Sequence, residues 1–323
     1  MKRIRANIYL ADPISEKDEL YLHRNNFKII NLCNYSLDDV IHGISLNDRK
    51  SDVSSALVIR SYRRLLRPHI GLLASETNIK LICTLSSGYD HIDLEYCSAK
   101  GIKVINVPGG NSVSAAEHTF AMILSFFKNL FKYDNMLRKG NFKSDYFDNH
   151  ELSGKTIGII GVGRVGSKVA RYARCFGMKV LANDIDRKVR DKYRSLKFVT
   201  LNYLLKNSDI ITLHVPLNPT TEKLINRSNI RMIKKGSVII NCARGGVIDE
   251  EVLIRILKSG KIRGAALDVF ETEPCVRDGL KKLKNVIITP HVAGKTVQSY
   301  ERISYLAVRR INGYFNNRVS PLN

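Results

Sequence analysis

The chain has 323 residues, 44% of them apolar and 25% charged, with a formal net charge of +22. That length exceeds one typical core and suits two domains, and no apolar run approaches the ~20 residues of a membrane-crossing helix. Lys and Arg are scattered, and the densest groups, Arg60 to Arg67 and Lys281 to Lys284, are short; this excludes a basic tail and points to a solvated basic surface that attracts anionic ligands rather than to nucleic acid.

In chain order, the first apolar stretch, residues 8–11, stops at Asp12 and is too short for a signal peptide. Strands are predicted at 8–11, 27–32, 56–60, 80–85 and 102–107, with amphipathic helices such as 16–25 and 92–100 between them. Gly101 stands where a helix C-terminal glycine belongs. This alternation implies a parallel sheet with helices on both faces. Residues 108–112 break the pattern. A single long helix is then predicted from Ser114 to Lys139, with Ser114 as N-cap and Glu117 completing a capping box. Its apolar face (Phe120, Ile123, Leu124, Phe127, Leu130, Phe131) is wider than a surface stripe, which implies burial between domains or subunits. Alternation resumes with strands at 156–160, 179–182, 209–214, 237–241, 264–269 and 285–289, and a helix closes the chain at 296–315. The fold class is therefore α/β, two open parallel-sheet domains with a ligand cleft expected between them. The six cysteines form no C-x-x-C pair and no Cys/His cluster of zinc spacing, so no metal is expected, and reduced thiols fit a cytoplasmic location.

Gly161-x-Gly163-x-x-Gly166 follows the strand at 156–160 and opens a helix. In that context the first glycine allows a tight turn and the second lets backbone approach a pyrophosphate. The third lets helix and strand pack closely. The turn residues Gly161, Gly163, Arg164, Val165 and Gly166 are the predicted phosphate-binding group. Asp184, at the end of the next strand, is placed to accept hydrogen bonds from the adenosine ribose and to repel a 2′-phosphate, so NAD is expected over NADP. Arg187 and Lys188 lie close by and soften that preference.

Three residues each lie just beyond a later apolar strand: Arg244, Glu273 and His291. A guanidinium holds a carboxylate by two parallel hydrogen bonds and polarises an adjacent keto oxygen. An imidazole delivers and removes a proton near neutral pH. A paired carboxylate orients the ring and favours its protonated form. Together these suit hydride transfer to or from a 2-keto or 2-hydroxy acid.

The chain resembles the D-isomer-specific 2-hydroxyacid dehydrogenase family over nearly its whole length. The matching segments are Ser86-Ser-Gly88-Tyr-Asp-His-Ile-Asp93, Asn106-Val-Pro-Gly-Gly-Asn111, Ala116-Glu117-His118, the glycine turn, Leu213-His214-Val215-Pro216-Leu217, Asn241-Cys242-Ala243-Arg244-Gly-Gly-Val-Ile-Asp249, Ala266-Leu-Asp268-Val-Phe-Glu-Thr-Glu273-Pro274 and Thr289-Pro-His291-Val-Ala293-Gly294. By resemblance, Arg244, Glu273 and His291 are the catalytic three. Asp268, Ala293 and Gly294 lie near the nicotinamide, and His214, Val215, Pro216, Cys242 and Ala243 line the cofactor. Ser87 and Gly88 offer backbone amides to the substrate carboxylate. His118 matches a family position and is read as packing.

The resemblance also implies a discontinuous, flavodoxin-like substrate domain (1–105 with 292–323) around an inserted Rossmann NAD-binding domain (106–291). It further implies a homodimer joined through the long helix.

Val58-Ile59-Arg60-Ser61 resembles phosphoglycerate dehydrogenases, in which an arginine after that strand helps bind phosphate; Arg63 and Arg64 add charge. The expected reaction is D-3-phosphoglycerate to 3-phosphohydroxypyruvate, the entry to serine synthesis. The alternatives are glyoxylate or hydroxypyruvate reduction and, further off, a non-enzymatic NAD-sensing corepressor. Some phosphoglycerate dehydrogenases carry a C-terminal regulatory domain. The residues after His291 are needed for the closing helix, so none is expected here.

Overall fold

The computed structural model describes residues 4–48, 52–142 and 148–322. The chain divides into two compact units, Met1–Asn111 with Lys295–Asn323, and Ser112–Gly294.

The first unit holds five strands: β1 (Ala6–Leu10), β2 (Phe27–Asn31), β3 (Ser55–Ile59), β4 (Ile79–Thr84) and β5 (Lys103–Ile105). All pair in parallel, in the order β2-β1-β3-β4-β5, the flavodoxin-like arrangement. Every residue of β1 and β3 is buried, as a parallel sheet covered on both faces requires. Alternate side chains serve the two faces. Ile8, Leu10 and Val58 pack with Leu22 and with Ile303, Ala307 and Ile311 of the closing helix, Val297–Phe315. Tyr9, Leu57 and Ile59 pack with Ile41 and Ile44 of helix Leu37–Asp48 and Ile70 and Leu73 of helix Arg67–Glu76. The closing helix begins in a reciprocal cap: Ser299 N donates to Thr296 Oγ1 at 3.1 Å and Thr296 N to Ser299 Oγ at 3.0 Å.

The second unit holds seven strands: β6 (Thr156–Ile160), β7 (Lys179–Asn183), β8 (Lys197–Phe198), β9 (Ile210–Leu213), β10 (Val238–Asn241), β11 (Gly264–Leu267) and β12 (Val286–Ile288). They form one parallel sheet, β12-β11-β10-β9-β6-β7-β8. Strand order reverses between β6 and β9, and ligands of such sheets bind beyond the strand ends at that point. Both sheets bear out the expected fold class. The two-residue β8 was not anticipated, being too short to show a period.

The predicted helix from Ser114 to Lys139 is two helices, Ser112–Phe127 and Leu130–Arg138. The break is at Asn129, which adopts the left-handed region (φ 50°), and its side-chain amide donates to Asp148 O at 3.0 Å and Asn149 Oδ1 at 3.1 Å. Asparagine tolerates that conformation better than most residues. Ser114 lies inside the first helix and is not its N-cap. The wide apolar face is also differently used. Phe120, Ile123 and Phe127 are buried against the unit's own sheet beside Ile157, Ile240 and Ala266, whereas Leu130 and Phe131 are exposed.

Candidate active site

The glycine turn leaves β6 at Ile160. Gly161 has φ 87°, and a Cβ there would sit 2.7 Å from His214 O, so both backbone and space demand glycine. A Cβ on Gly166 would lie 2.0 Å from Gly161 O, whereas one on Gly163 would meet nothing within 4 Å. Packing therefore needs the outer two glycines, and the middle one leaves room for a ligand. Helix Gly166–Cys175 starts at Val165 with no side-chain cap, and such a helix end attracts phosphate.

Asp184 follows β7. Its Oδ2 accepts from Val162 N at 2.7 Å and its Oδ1 from Asp186 N at 2.9 Å. The carboxylate is thus fixed against the turn and keeps lone pairs for a diol. These residues fit a dinucleotide.

The segment after β9 packs on Gly161: a Cβ there would also meet Val215 Cγ1 at 2.8 Å. His214 lies 2.9 Å (Nε2) from Thr212 Oγ1, and burial pushes its ring down to about 3, so it is neutral. Pro216 O accepts from Thr221 Oγ1 at 2.6 Å. Cys242 Sγ lies 3.5 Å from Met122 Sδ, and burial pushes the thiol up to about 12, which leaves it unreactive. Asn241 shapes the next turn: its Oδ1 accepts from Ala243 N at 3.0 Å and its Nδ2 donates to Arg244 O at 2.9 Å.

Arg244, Glu273 and His291 come from beyond β10, β11 and β12, which are neighbours in the sheet. Gly245 lets two turns touch, since a Cβ there would lie 1.9 Å from the Phe270 carbonyl carbon. His291 Nδ1 lies 2.6 Å from Glu273 Oε2, and Glu273 Oε1 accepts from Phe270 N at 3.1 Å. Burial raises the Glu273 carboxyl, but the His291 hydrogen bond and the charges of His291 and Arg244 outweigh it and hold it below the usual range. The side chains of His291 and Glu273 are 38% and 35% exposed, so a ligand has access to both. Arg244 Nη1 donates to Ala243 O at 2.8 Å.

His291 has φ 51°, a strained value for a residue with a side chain. Asp268, fully buried, holds it there. Asp268 Oδ1 accepts from Thr289 Oγ1 at 2.5 Å and Val292 N at 2.9 Å, Oδ2 from Ala293 N at 2.8 Å, and its carbonyl from His291 N at 2.8 Å. His118 Nε2 lies 3.2 Å from Thr289 Oγ1 and 3.7 Å from Asp268 Oδ1. From helix Ser112–Phe127 it thus makes polar contact with this turn, where a packing residue was expected. Gly294 ends the unit at the same turn.

In the first unit, Arg60 follows β3. Its N donates to the buried Asp12 Oδ2 at 2.7 Å, and its guanidinium lies 5.3 Å from the centre of the Tyr300 ring. Arg63 is buried: Nε donates to Asp12 Oδ2 at 3.1 Å and Nη2 to Ala11 O at 2.9 Å. It is a structural cation, which corrects its expected part in the anion-binding charge; Arg64 is exposed. Ser87 follows β4 with Gly88. Its hydroxyl donates to Val107 O at 3.2 Å and accepts from Gly109 N at 3.1 Å, and its carbonyl accepts from Asn106 Nδ2 at 2.7 Å. Among the described residues no group of three or more His, Cys, Asp or Glu is placed to hold a metal, and no helix is long and apolar enough to cross a membrane.

Residues 120–293 match the family model described as D-isomer specific 2-hydroxyacid dehydrogenase, NAD binding domain. A hydroxypyruvate reductase of Thermotoga maritima is 38% identical over 311 residues, covering 95% of this chain and 97% of that protein. A D-3-phosphoglycerate dehydrogenase of Methanocaldococcus jannaschii is 37% identical over 95% of this chain, which spans only 57% of that longer protein. Among solved structures, a D-lactate dehydrogenase from Aquifex aeolicus, complexed with NAD and lactic acid, superposes with a TM-score of 0.78 at 34% identity, over 97% of this chain and 96% of the other.

Proposed function

The chain belongs to the D-isomer specific 2-hydroxyacid dehydrogenase family, and from that premise we propose that it transfers a hydride between NAD and a D-2-hydroxy acid, with D-3-phosphoglycerate as the favoured acid. The observation that carries the reading is the 2.6 Å His291–Glu273 pair, with Arg244 on the neighbouring strand end of the sheet that also bears the Gly161 turn. Arg244 binds the substrate carboxylate and polarises the keto oxygen, where negative charge develops during reduction. Glu273 stays ionised and accepts the Nδ1 proton of His291, which turns Nε2 toward the substrate as proton donor or acceptor. Bound NAD supplies or takes the hydride. Arg60 serves the substrate phosphate, and the amides of Ser87 and Gly88 serve its carboxylate.

The test of substrate is NADH formation from D-3-phosphoglycerate and NAD, beside NADH consumption with hydroxypyruvate and glyoxylate. Loss of one charge-assisted contact costs about 1.5–3 kcal/mol. Arg60→Ala is thus expected to raise KM for the phosphorylated acid roughly 10- to 100-fold and to leave hydroxypyruvate within a few-fold. Turnover of unphosphorylated keto acids alone would make the second reading correct, a hydroxypyruvate or glyoxylate reductase; the near-full-length match to the Thermotoga maritima protein favours it.

Asp184 sets the cofactor preference in this reading. Asp184→Ala is expected to weaken NAD binding by about 1–2 kcal/mol, or roughly 5- to 30-fold, and to narrow the NAD/NADP affinity ratio. Identical ratios in titrations of the two proteins would remove Asp184 from that role.

A further inference from the structure

The loop that carries Glu273 also takes part in a second charged cluster. Glu250 opens helix Glu250–Lys258, six residues after Arg244, and Glu271 stands two residues before Glu273. Each carboxylate binds the other's backbone: Glu271 N donates to Glu250 Oε1 at 2.7 Å, and Glu250 N donates to Glu271 Oε1 at 3.1 Å. Two carboxylates this close repel one another. Arg277 answers both, with Nη2 2.8 Å from Glu271 Oε2 and Nε 3.2 Å from Glu250 Oε2. Glu250 is nearly fully buried, Glu271 largely so, and Arg277 half exposed. Arg277 offsets the repulsion of two carboxylates that are themselves largely out of water, and its loss leaves them unpaired. The arrangement ties the chain after Arg244 to the loop that carries Glu273, at the level where Gly245 already touches Phe270.

We propose that Glu250, Glu271 and Arg277 form a positioning clamp that fixes Glu273 against His291 and sets its spacing from Arg244. The inference rests on the reading of the His291–Glu273 pair given above. A bridging guanidinium makes two directed contacts, which a lysine replaces with one point charge.

The experiment is a mutant cycle in the intact chain with NADH and hydroxypyruvate, glyoxylate and 3-phosphohydroxypyruvate. Arg277→Gln is expected to lower kcat about 10- to 100-fold, the scale of a misplaced reacting group, with the Kd for NADH unchanged. Arg277→Lys is expected to recover most of the loss. Arg277→Gln combined with Glu273→Gln is expected to be no slower than Glu273→Gln alone, because a clamp acting through Glu273 has nothing left to position. A readout independent of turnover is the downfield Nδ1 proton resonance of His291, expected in the wild type, lost in Arg277→Gln and restored in Arg277→Lys.

Wild-type kcat and an unchanged resonance in Arg277→Gln, with only its thermal stability lowered, would overturn the clamp and leave a structural ion pair. A multiplicative loss in the double variant would overturn it as well. If the resonance behaves as expected while none of the three acids is turned over, the clamp stands and the proposed function falls.

Discussion

Turnover of the His291→Ala variant is expected to fall by about 10²–10⁴-fold, the usual contribution of a positioned general acid–base, with NADH affinity nearly unchanged. The reasons are geometric. His291 Nδ1 is 2.6 Å from a carboxylate that its neighbours hold below the ordinary range, largely against its own burial. A group with a depressed pKa stays charged down to more acidic pH than in the unfolded chain, and its stabilising pairing is lost only as pH falls through that lowered value. Across the neutral range the Glu273 carboxylate is therefore available to hold the ring through Nδ1. In the proposed reading, alanine removes the proton carrier and leaves water as its replacement. The backbone matters too: His291 sits at φ 51°, a conformation alanine adopts with no greater ease, so Asp268 has to hold either residue. Circular dichroism melts of the two proteins separate lost chemistry from lost folding. A kcat within a few-fold of wild type would remove His291 from the acid–base role.

Arg244→Lys is the second large expectation. It keeps the charge and loses the fork. A planar guanidinium meets a carboxylate through two parallel N–H bonds, and an ammonium offers a single point contact on a flexible stem. One charge-assisted hydrogen bond corresponds to about 1.5–3 kcal/mol, so kcat/KM is expected to fall roughly 10- to 100-fold. Part of that loss is expected in kcat, because the proposed reading sets the same group against the oxygen where charge develops. Local folding is expected to survive, since Asn241 and the closeness of Gly245 to Phe270 shape the turn and a lysine ammonium can still donate to the Ala243 carbonyl that Arg244 Nη1 meets at 2.8 Å. Steady-state kinetics on the preferred keto acid decide it, and unchanged constants would make Arg244 peripheral.

Much of this was legible in the chain because parallel strands covered on both faces must be apolar throughout. Runs such as Val238–Asn241 and Ser55–Ile59 are buried at every position and show as unbroken runs rather than alternations. The glycine turn was legible because Gly161 and Gly166 have no room for a side chain. Arg244, Glu273 and His291 stood out because each follows a strand, and those three strands prove to be neighbours.

What was not legible depends on partners distant in sequence. Nothing near Asp268 announces that its carboxylate will receive the amides of Val292 and Ala293. The burial of Arg63 follows from Asp12, on a different strand end. The apolar pattern resumes at Leu130 and Phe131 after Lys128 and Asn129, so the helix break shows only in the structure, in the left-handed φ of Asn129 and its bonds to Asp148 and Asn149. The contacts of Glu250 with Glu271 and Arg277 were hidden for the same reason, since they join residues on separate segments of the chain.

Direct hydride transfer is the step on which the proposed function turns, and isotope transfer tests it most plainly. Wild-type protein is given NADH stereospecifically deuterated at C4 together with hydroxypyruvate, glyoxylate or 3-phosphohydroxypyruvate, and the product is examined by mass spectrometry and chiral chromatography. Deuterium is expected at C2 of the hydroxy acid from one face of the nicotinamide only, with the D enantiomer wherever the product is chiral. Product that carries no deuterium, carries it from both faces, or has the L configuration would contradict it.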